Sequence, residues 1–217
     1  MPYDPQKHHR RSIRLPGYDY AQPRACFVTI CTKDRLCLFG EVVDGEMRLN
    51  DAGHIAQQCW TDIPNHLPHV QLDAFIVMPN HVHGILVIDH HAAPDDAGAR
   101  HVGARHAVPL HPPAVPPPPT ASHNPAVEQF GKPVHGSIPT IVRSFKSAAT
   151  RHINILRGTP RAPVWQRNYY EHIIRNEASL QRIRQYIATN PIRWHLDREN
   201  PDHTGRSPDE EMWFGSA

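Results

Sequence analysis

Hydrophobic and polar positions in the first part of the chain follow the pattern of short β-strands. Residues 25–32 are rich in β-branched and aromatic side chains, which predicts a first, central strand. Residues 36–43 and 46–49 flank Asp44-Gly45, a pair that favours a two-residue hairpin turn. This part of the chain therefore predicts a strand followed by a β-hairpin.

A helix is expected after this hairpin. Asn50 or Asp51 can cap its first turn, and Pro64 marks its end. Its apolar side chains recur at helical spacing: Ile55, Cys59, Trp60 and Ile63. The apolar face predicts that the helix packs on a sheet.

The composition of the chain changes after the next strands. Residues 90–135 are rich in proline and predict a disordered or extended insertion that acts as a spacer. Ser137 can then cap a helix, whose apolar face carries Ile138, Ile141, Phe145, Ala148, Ile153 and Leu156. A strand over 164–174 follows, and a last helix runs from a cap at Asn176 to Asn190-Pro191.

The order of these elements predicts an α+β fold, in which helices cover an antiparallel sheet. We expect a single domain, because 217 residues can bury one sizeable core. The predicted parts are a basic N-terminal arm (1–24), the domain itself (25–89 and 136–197), the proline-rich insertion (90–135) and a C-terminal tail (198–217). The chain after about Asp197 is expected to be loosely ordered.

Composition favours a cytoplasmic protein without a membrane partner. The formal net charge is +2, and the basic residues are mostly arginine, whose planar fork suits phosphate, so nucleic acid is a candidate partner. The four cysteines form no Cys-x-x-Cys pair, which argues against a zinc knuckle or a disulfide framework and for a reducing compartment. We expect neither a signal peptide nor a transmembrane segment, because no apolar run is long enough.

Two histidines mark the most informative stretch of the chain. Residues 75–78 and 84–88 predict two strands, with Pro79-Asn80 as turn residues between them. His81 and His83 follow this turn, at the mouth of the predicted hairpin. Because strand side chains alternate between faces, both imidazoles point the same way and can bind one divalent metal if a third ligand comes from elsewhere. In a chain with 18 histidines, the alternative is a pair of ordinary histidines at a strand end.

Tyr186 and Asn190 lie four residues apart on the last predicted helix, so they are neighbours on successive turns. If this helix packs beside the histidine hairpin, Asn190 can offer its amide oxygen as third metal ligand and Tyr186 can present its hydroxyl nearby. The alternative is a packing tyrosine and an asparagine that ends the helix. A metal beside a tyrosine suits transesterification of a phosphodiester through a phosphotyrosine, with the phenol as nucleophile.

Four motifs, in this order, resemble those of a known family. They are MPNHVHGILVI (78–88), FKS (145–147), VWQRNYYEHIIRN (164–176) and YIATNP (186–191). They are similar to motifs of the single-tyrosine transposases of the HUH endonuclease superfamily and, more narrowly, of the REP-associated tyrosine transposases of bacterial chromosomes. The resemblance runs from about Arg14 to Asn200, with the proline-rich insertion excluded.

The resemblance implies a ferredoxin-like nuclease fold that cleaves single-stranded or hairpin DNA with Mg²⁺ or Mn²⁺ and no organic cofactor. His81 and His83 match the family's metal-binding histidines, Tyr186 its catalytic tyrosine, and Asn190 the position of its third polar ligand. The tyrosine becomes joined to the DNA 5′ phosphate and leaves a free 3′ hydroxyl. A bacterial, nucleoid-associated enzyme is implied, and it acts as a monomer or as a homodimer.

DNA binding is expected to use basic side chains outside the metal site. The candidates are Arg10, Arg11, Arg14, Arg143, Lys146 and Arg167. Contacts of this kind bind phosphate and give affinity with little sequence selectivity. For the helix face with Arg143 and Lys146, the alternative is an ordinary solvated surface.

Two other functions remain open at this point. One is a domesticated DNA-binding protein of the same fold that no longer cuts. The other is a histidine-rich metal-handling protein, which His90-His91 and the histidines of the insertion would favour. Tyr169 and Tyr170 are interpreted as structural residues of a strand, and the same interpretation is favoured for Glu171 and His172, for which the alternative is that they join the site.

Overall fold

The computed structural model describes residues 24–89 and 136–204. The basic arm with Arg10, Arg11 and Arg14, the proline-rich insertion and residues 205–217 lie outside the described residues. The strands are β1 (Arg24–Cys31), β2 (Gly40–Val43), β3 (Glu46–Leu49), β4 (Val70–Val77), β5 (His81–Ile88) and β6 (Tyr170–Ile174). The helices are α1 (Asp51–Thr61), α2 (Ile63–His66), α3 (Ile138–Arg157) and α4 (Glu177–Thr189).

Four strands form one antiparallel sheet in the order β4-β5-β1-β6, and β2 pairs with β3 in a separate hairpin. Helices α1 and α2 lie between β1 and β4 in the chain, and α3 lies between β5 and β6. The sheet therefore contains two split β-α-β units, which is the ferredoxin-like arrangement. The predicted α+β fold, with a central first strand and helices over an antiparallel sheet, is confirmed.

The two faces of the sheet bury different sets of side chains. On one face, α1 and α3 cover the larger core, which includes Val28, Trp60, Val82, Leu86 and Phe145. On the other face, α4 packs Ile183, Tyr186 and Ile187 against Phe27 and Ile85. Because side chains alternate along β5, this strand contributes Val82 and Leu86 to the first face and His83 and Ile85 to the second.

The predicted hairpin turn and the caps at Asn50 and Asn176 are present, whereas the side chain of Ser137 does not cap α3, because its hydroxyl lies against that of Thr140, at 3.3 Å. Asp44 and Gly45 have φ angles of 53° and 78°, as a two-residue hairpin turn with two left-handed positions requires. The side chain of Asn50 accepts a hydrogen bond from the amide of Gly53 and so caps α1. Asn176 caps α4 in the same way. These local signals fix where α1 and α4 begin.

The apolar face of α3 differs in phase from the prediction. Ala148 and Leu156 are exposed, whereas Val142 and Ala149 are buried. The buried positions advance by three or four residues from Ile138, so Ala149 and not Ala148 follows Phe145 on the same face. None of the described helices combines the length and the apolar character needed to cross a membrane.

The strand predicted over 164–174 is shorter than expected. Of these residues, Tyr170–Ile174 (β6) form a continuous strand that pairs with β1. Trp165 makes an isolated bridge to Thr32 beyond the end of β1. The ammonium of Lys146 donates to the carbonyl oxygens of Gln166 and Asn168, both at 2.9 Å. The segment between Trp165 and β6 thus packs on Lys146 of α3, and its pairing with β1 is interrupted there.

The chain directly after Asp197 also departs from the expectation of loose order. Glu199 and Asn200 are buried. The backbone carbonyl of Glu199 accepts a hydrogen bond from the Asn80 amide, and its backbone amide donates to Asp197. The prediction of a loosely ordered tail is wrong for these residues, because polar contacts with the β4–β5 hairpin hold them in place.

Gly84 provides a test of the packing between β5 and α1. A β-carbon at this position would overlap the Cζ2 atom of the buried Trp60 ring. We therefore expect Gly84→Ala to lower the free energy of unfolding, measured by urea denaturation, by about 1–3 kcal/mol, the usual cost of overpacking a core. The same substitution should cost less in a Trp60→Phe background, which lacks this part of the ring. Equal costs in the two backgrounds would contradict the packing described.

Candidate metal centre and tyrosine site

Strand β5 places two imidazoles side by side on the sheet face that α4 covers. His81 and His83 are buried, and their ring centroids lie 4.3 Å apart. They face the same way because they are two positions apart on one strand. The two side chains therefore point toward α4 and the segment that follows it.

Asn80 fixes the orientation and the tautomer of His81. The amide nitrogen of Asn80 donates to the carbonyl oxygens of Arg35, at 3.1 Å, and Glu199, at 2.6 Å. Its oxygen is therefore the atom that lies 2.8 Å from Nδ1 of His81. An amide oxygen can only accept, so Nδ1 carries the hydrogen and the neutral ring keeps a lone pair on Nε2.

The ring of His81 is neutral at physiological pH. Burial, and then the neighbouring His83, lower the pKa of His81 to about 3. His83 has a different partner, because its Nδ1 lies 2.9 Å from the hydroxyl of Thr29, the residue opposite it on β1. In both histidines Nδ1 is thus engaged by a neighbouring side chain, and Nε2 is the atom that faces the site.

Asp197 completes this cluster with a carboxylate. It follows a short 3-10 turn over Trp194–Leu196 and is buried. Its Oδ2 lies 3.8 Å from Nε2 of His81 and 3.9 Å from Nε2 of His83. Burial raises the pKa of this carboxyl, but hydrogen bonds donated by the Asn190 side chain and by the backbone amide of Glu199 favour its ionised form, and the pKa lies below its usual range. Asp197 is therefore ionised next to two imidazoles.

Asn190, the candidate third ligand, lies at the C-terminal end of α4 and contacts Asp197. Its amide nitrogen donates to Oδ2 of Asp197 at 2.9 Å. Its oxygen, Oδ1, is buried and finds no hydrogen-bond partner within the described part of the chain, and the same holds for Nε2 of His81. Buried acceptors without donors are costly, so these two atoms call for a positively charged or donating group.

The residues of this cluster fit a divalent cation. One ligand atom from each of His81, His83 and Asp197 lies within 4.8 Å of the other two. Two metal–ligand bonds of about 2.1 Å can span up to about 4.2 Å, which covers both imidazole–carboxylate distances. Neutral imidazoles and an ionised carboxylate are also the forms in which these side chains coordinate metals.

Tyr186 reaches the same cluster from α4. Its hydroxyl lies 3.3 Å from Nε2 of His83, and its ring meets Phe27 edge-on with centroids 6.1 Å apart. Two hydrogen bonds from Arg184 to the Asp73 carboxylate, of 2.9 and 2.6 Å, attach α4 to β4. The helix that carries the tyrosine is therefore held against the strands of its own chain.

A small cavity opens beside the tyrosine. It has a volume of about 160 Å³, and both His83 and Tyr186 line it. Its walls also include Arg35, Arg198 and Glu199. None of these three residues lies within the sequence motifs.

The candidate DNA-binding residues lie in different surroundings. Arg143 is exposed on α3 and lines an open groove with Arg151 and Arg161. Arg167 is exposed. Lys146 already donates to two backbone carbonyls, and burial lowers its pKa to about 8. Of the three DNA-binding candidates that the structure describes, Arg143 and Arg167 are exposed to solvent.

Tyr169 to His172, at and just before the start of β6, lie near the tyrosine site. The hydroxyl of Tyr169 donates to the carboxylate of Glu171 at 2.9 Å. Tyr169 and Tyr170 both line the cavity beside Tyr186. Burial raises the pKa of Tyr170 and lowers the pKa of His172.

Asp197 is the functional candidate that sequence reasoning missed. It belongs to no motif and lies seven residues beyond Asn190. One signal was available, because Asp197 is the first acidic residue after Tyr186 in the sequence. A carboxylate that follows the tyrosine helix is a natural third metal ligand beside two histidines.

Two solved structures are similar to this one. The first is a REP-associated tyrosine transposase bound to a REP hairpin, with a TM-score of 0.46 and 16% identity over 85% of this chain and 73% of that chain. The second is a presumed transposase from Deinococcus radiodurans R1, with a TM-score of 0.39 and 18% identity over 81% of this chain and 96% of that chain.

Sequence comparison identifies a nearly full-length relative. No family model matches the chain. A protein of Haemophilus influenzae (strain KW20 / Rd), described as an uncharacterized protein, is 39% identical over 196 residues, which are 90% of this chain and 96% of that protein. At this identity and coverage, the chain belongs to the same protein family as the Haemophilus influenzae protein.

Proposed function

We propose that this protein is a metal-dependent tyrosine transposase, an endonuclease and strand transferase that cuts single-stranded or hairpin DNA. The observation that carries the proposal is the 3.3 Å contact between the Tyr186 hydroxyl and Nε2 of His83, beside a cluster of buried acceptors. Phosphotyrosine chemistry needs a nucleophile and a cation site within reach of one phosphate. The motifs that resemble REP-associated tyrosine transposases support the same function.

His81, His83 and Asp197 would hold the divalent ion, and Asn190 offers a further oxygen beside Asp197. Mg²⁺ or Mn²⁺ is the proposed working ion, although imidazole ligands also accept Zn²⁺. When bound, such an ion polarises a phosphate and neutralises charge on its nonbridging oxygens. Asn80 prepares the site by keeping the hydrogen of His81 on Nδ1.

Tyr186 is the proposed nucleophile. Its phenolic oxygen forms a bond to phosphorus, and the bond from phosphorus to the 3′ oxygen breaks, which leaves a 5′ phosphate on the tyrosine and a 3′ hydroxyl on the DNA. Overall, the phenolic proton is exchanged for one on the 3′ oxygen. Attack by a 3′ hydroxyl on the phosphotyrosine reverses the step and joins strands, which a water nucleophile could not achieve.

The contact between His83 and Tyr186 links the proposed metal site to the proposed nucleophile. If the hydrogen of the neutral His83 ring is on Nδ1, the one lone pair of Nε2 could accept from Tyr186 or bind a metal, but not both. Phe27, against which the tyrosine ring packs, keeps the hydroxyl near the site in either case.

Removing a proposed ligand should weaken metal binding. We expect His81→Ala and Asp197→Ala each to lower the affinity for Mn²⁺, measured by isothermal titration calorimetry, by at least about tenfold, because each removes one ligand atom from a cluster of three. The matched control is His152→Ala, which removes an exposed histidine from α3. Unchanged Mn²⁺ affinity in all three variants would place the metal elsewhere, for example on the histidines of the insertion.

Removing the phenolic oxygen should abolish cutting but not binding. We expect Tyr186→Phe to form no covalent adduct with labelled hairpin DNA in the presence of Mn²⁺, while its DNA affinity in a gel-shift assay stays within about twofold of the wild type. The change removes one oxygen from a ring that stays packed on Phe27. Tyr170→Phe, which alters another tyrosine of the same cavity, should still form the adduct.

The site of attachment decides between the candidate functions. Mass mapping of the wild-type adduct should identify the peptide that contains Tyr186. An adduct on any other tyrosine would refute the assignment of the nucleophile. A wild-type protein that binds hairpin DNA and never nicks it would instead support a domesticated DNA-binding protein of the same fold.

A further inference from the structure

A buried carboxylate holds two arginines at the cavity beside the tyrosine. Glu199 is 6% exposed; one of its oxygens lies 3.0 Å from Nε of Arg35, and the other lies 3.0 Å from Nε of Arg198. All three residues line the cavity together with His83 and Tyr186. Two cations from distant parts of the sequence are thus held near the proposed nucleophile.

The cavity is suited to an anion. Among its described lining residues, Glu199 is the one carboxylate, and it contacts both guanidiniums. The contact of Arg35 with Glu199 uses Nε, and the two terminal nitrogens of a guanidinium carry four further N–H groups. The side chains of Arg35 and Arg198 are 46% and 44% exposed, so solvent and ligands can reach them. Donor forks of this shape match the oxygens of a phosphate.

The backbone at Arg35 is held in a conformation that L-residues rarely adopt. Asp34 and Arg35 have φ angles of 56° and 55°, two consecutive left-handed positions without a glycine. The carbonyl of Arg35 accepts a hydrogen bond from Asn80, and its guanidinium contacts Glu199, so the residue is fixed at both ends. Strain of this kind is common where a side chain must be aimed at a ligand.

We propose that Arg35 and Arg198, positioned by Glu199, bind the phosphate group that Tyr186 attacks. The inference rests on the proposed nuclease function and adds the residues that hold its substrate. The ligand is a DNA phosphodiester, whose nonbridging oxygens accept hydrogen bonds from the two guanidiniums. Glu199 is a positioning residue, because it acts through the two arginines.

The first test measures nicking of the hairpin oligonucleotide that the wild type cuts. We expect Arg35→Ala to lower kcat/KM by about ten- to a hundredfold, the loss expected when a charged hydrogen bond to phosphate is removed. Arg198→Ala should behave similarly, and Arg35→Lys should recover part of the activity. The matched control is Lys33→Ala, from the same turn, whose ammonium pairs with its exposed neighbour Asp34. It should cut at the wild-type rate.

A second variant separates substrate binding from folding. Arg35→Gly removes the side chain but suits the left-handed backbone, so it should melt at a higher temperature than Arg35→Ala. Under the proposal, the two variants cut equally slowly despite this difference in stability. Recovery of the nicking rate in Arg35→Gly would show that Arg35 serves only the fold, and it would overturn the proposal.

A third measurement identifies the phosphate. The same oligonucleotide is made with a single uncharged methylphosphonate at the position of cutting, and its binding is measured in the presence of a chelator, without divalent metal. We expect this change to weaken binding to the wild type by about tenfold and binding to Arg35→Ala by a clearly smaller factor, because the variant has lost one of the two guanidiniums that contact the charged phosphate. An equal loss in both proteins would overturn the proposal.

The outcomes distinguish this inference from the function on which it rests. Nicking by the wild type with full activity of Arg35→Ala and Arg198→Ala would overturn the role of the arginines and leave the nuclease intact. A wild-type protein that nicks no hairpin DNA would overturn both.

Discussion

The alternation of side chains along one strand is the constraint on which the rest of this structure depends. On β5, Val82 and Gly84 face the larger core, where the ring of Trp60 packs closely on the glycine. His81 and His83 face the opposite side and meet the carboxylate of Asp197. A shift of register by one residue would exchange the two sets, so the packing of the core also determines where the imidazoles point.

A single amide joins the parts of the chain that build the candidate site. Asn80 precedes β5 and makes hydrogen bonds with Arg35 after β1, Glu199 after α4, and the ring of His81. All three contacts use different lone pairs or hydrogens of one side chain, so they support one another. The consequence is that the position of the C-terminal segment with Asp197 and the tautomer of His81 are set together.

Much of the fold could be predicted because its signals are local. The turn at Asp44-Gly45, the caps at Asn50 and Asn176 and the alternation at His81 and His83 depend on residues close in sequence, and the structure contains them. The position of Asp197 depends instead on a chain reversal after α4, which has no periodic pattern. The same reason hid Arg35 and Glu199, which meet only when distant segments close around Asn80. The length of β6 also depends on long-range contacts, and the local sequence pattern predicted a longer strand than the structure contains.

The buried acceptor atoms of the site have a consequence for the stability of the folded protein. Nε2 of His81 and Oδ1 of Asn190 are buried and have no donor within the described part of the chain, and a buried acceptor that stays unpaired would cost free energy of folding. A cation that binds the native but not the unfolded chain stabilises it by about 2.7 kcal/mol at a hundredfold excess over the dissociation constant. The resistance of such a protein to unfolding and proteolysis would then rise and fall with the supply of free divalent ions around it.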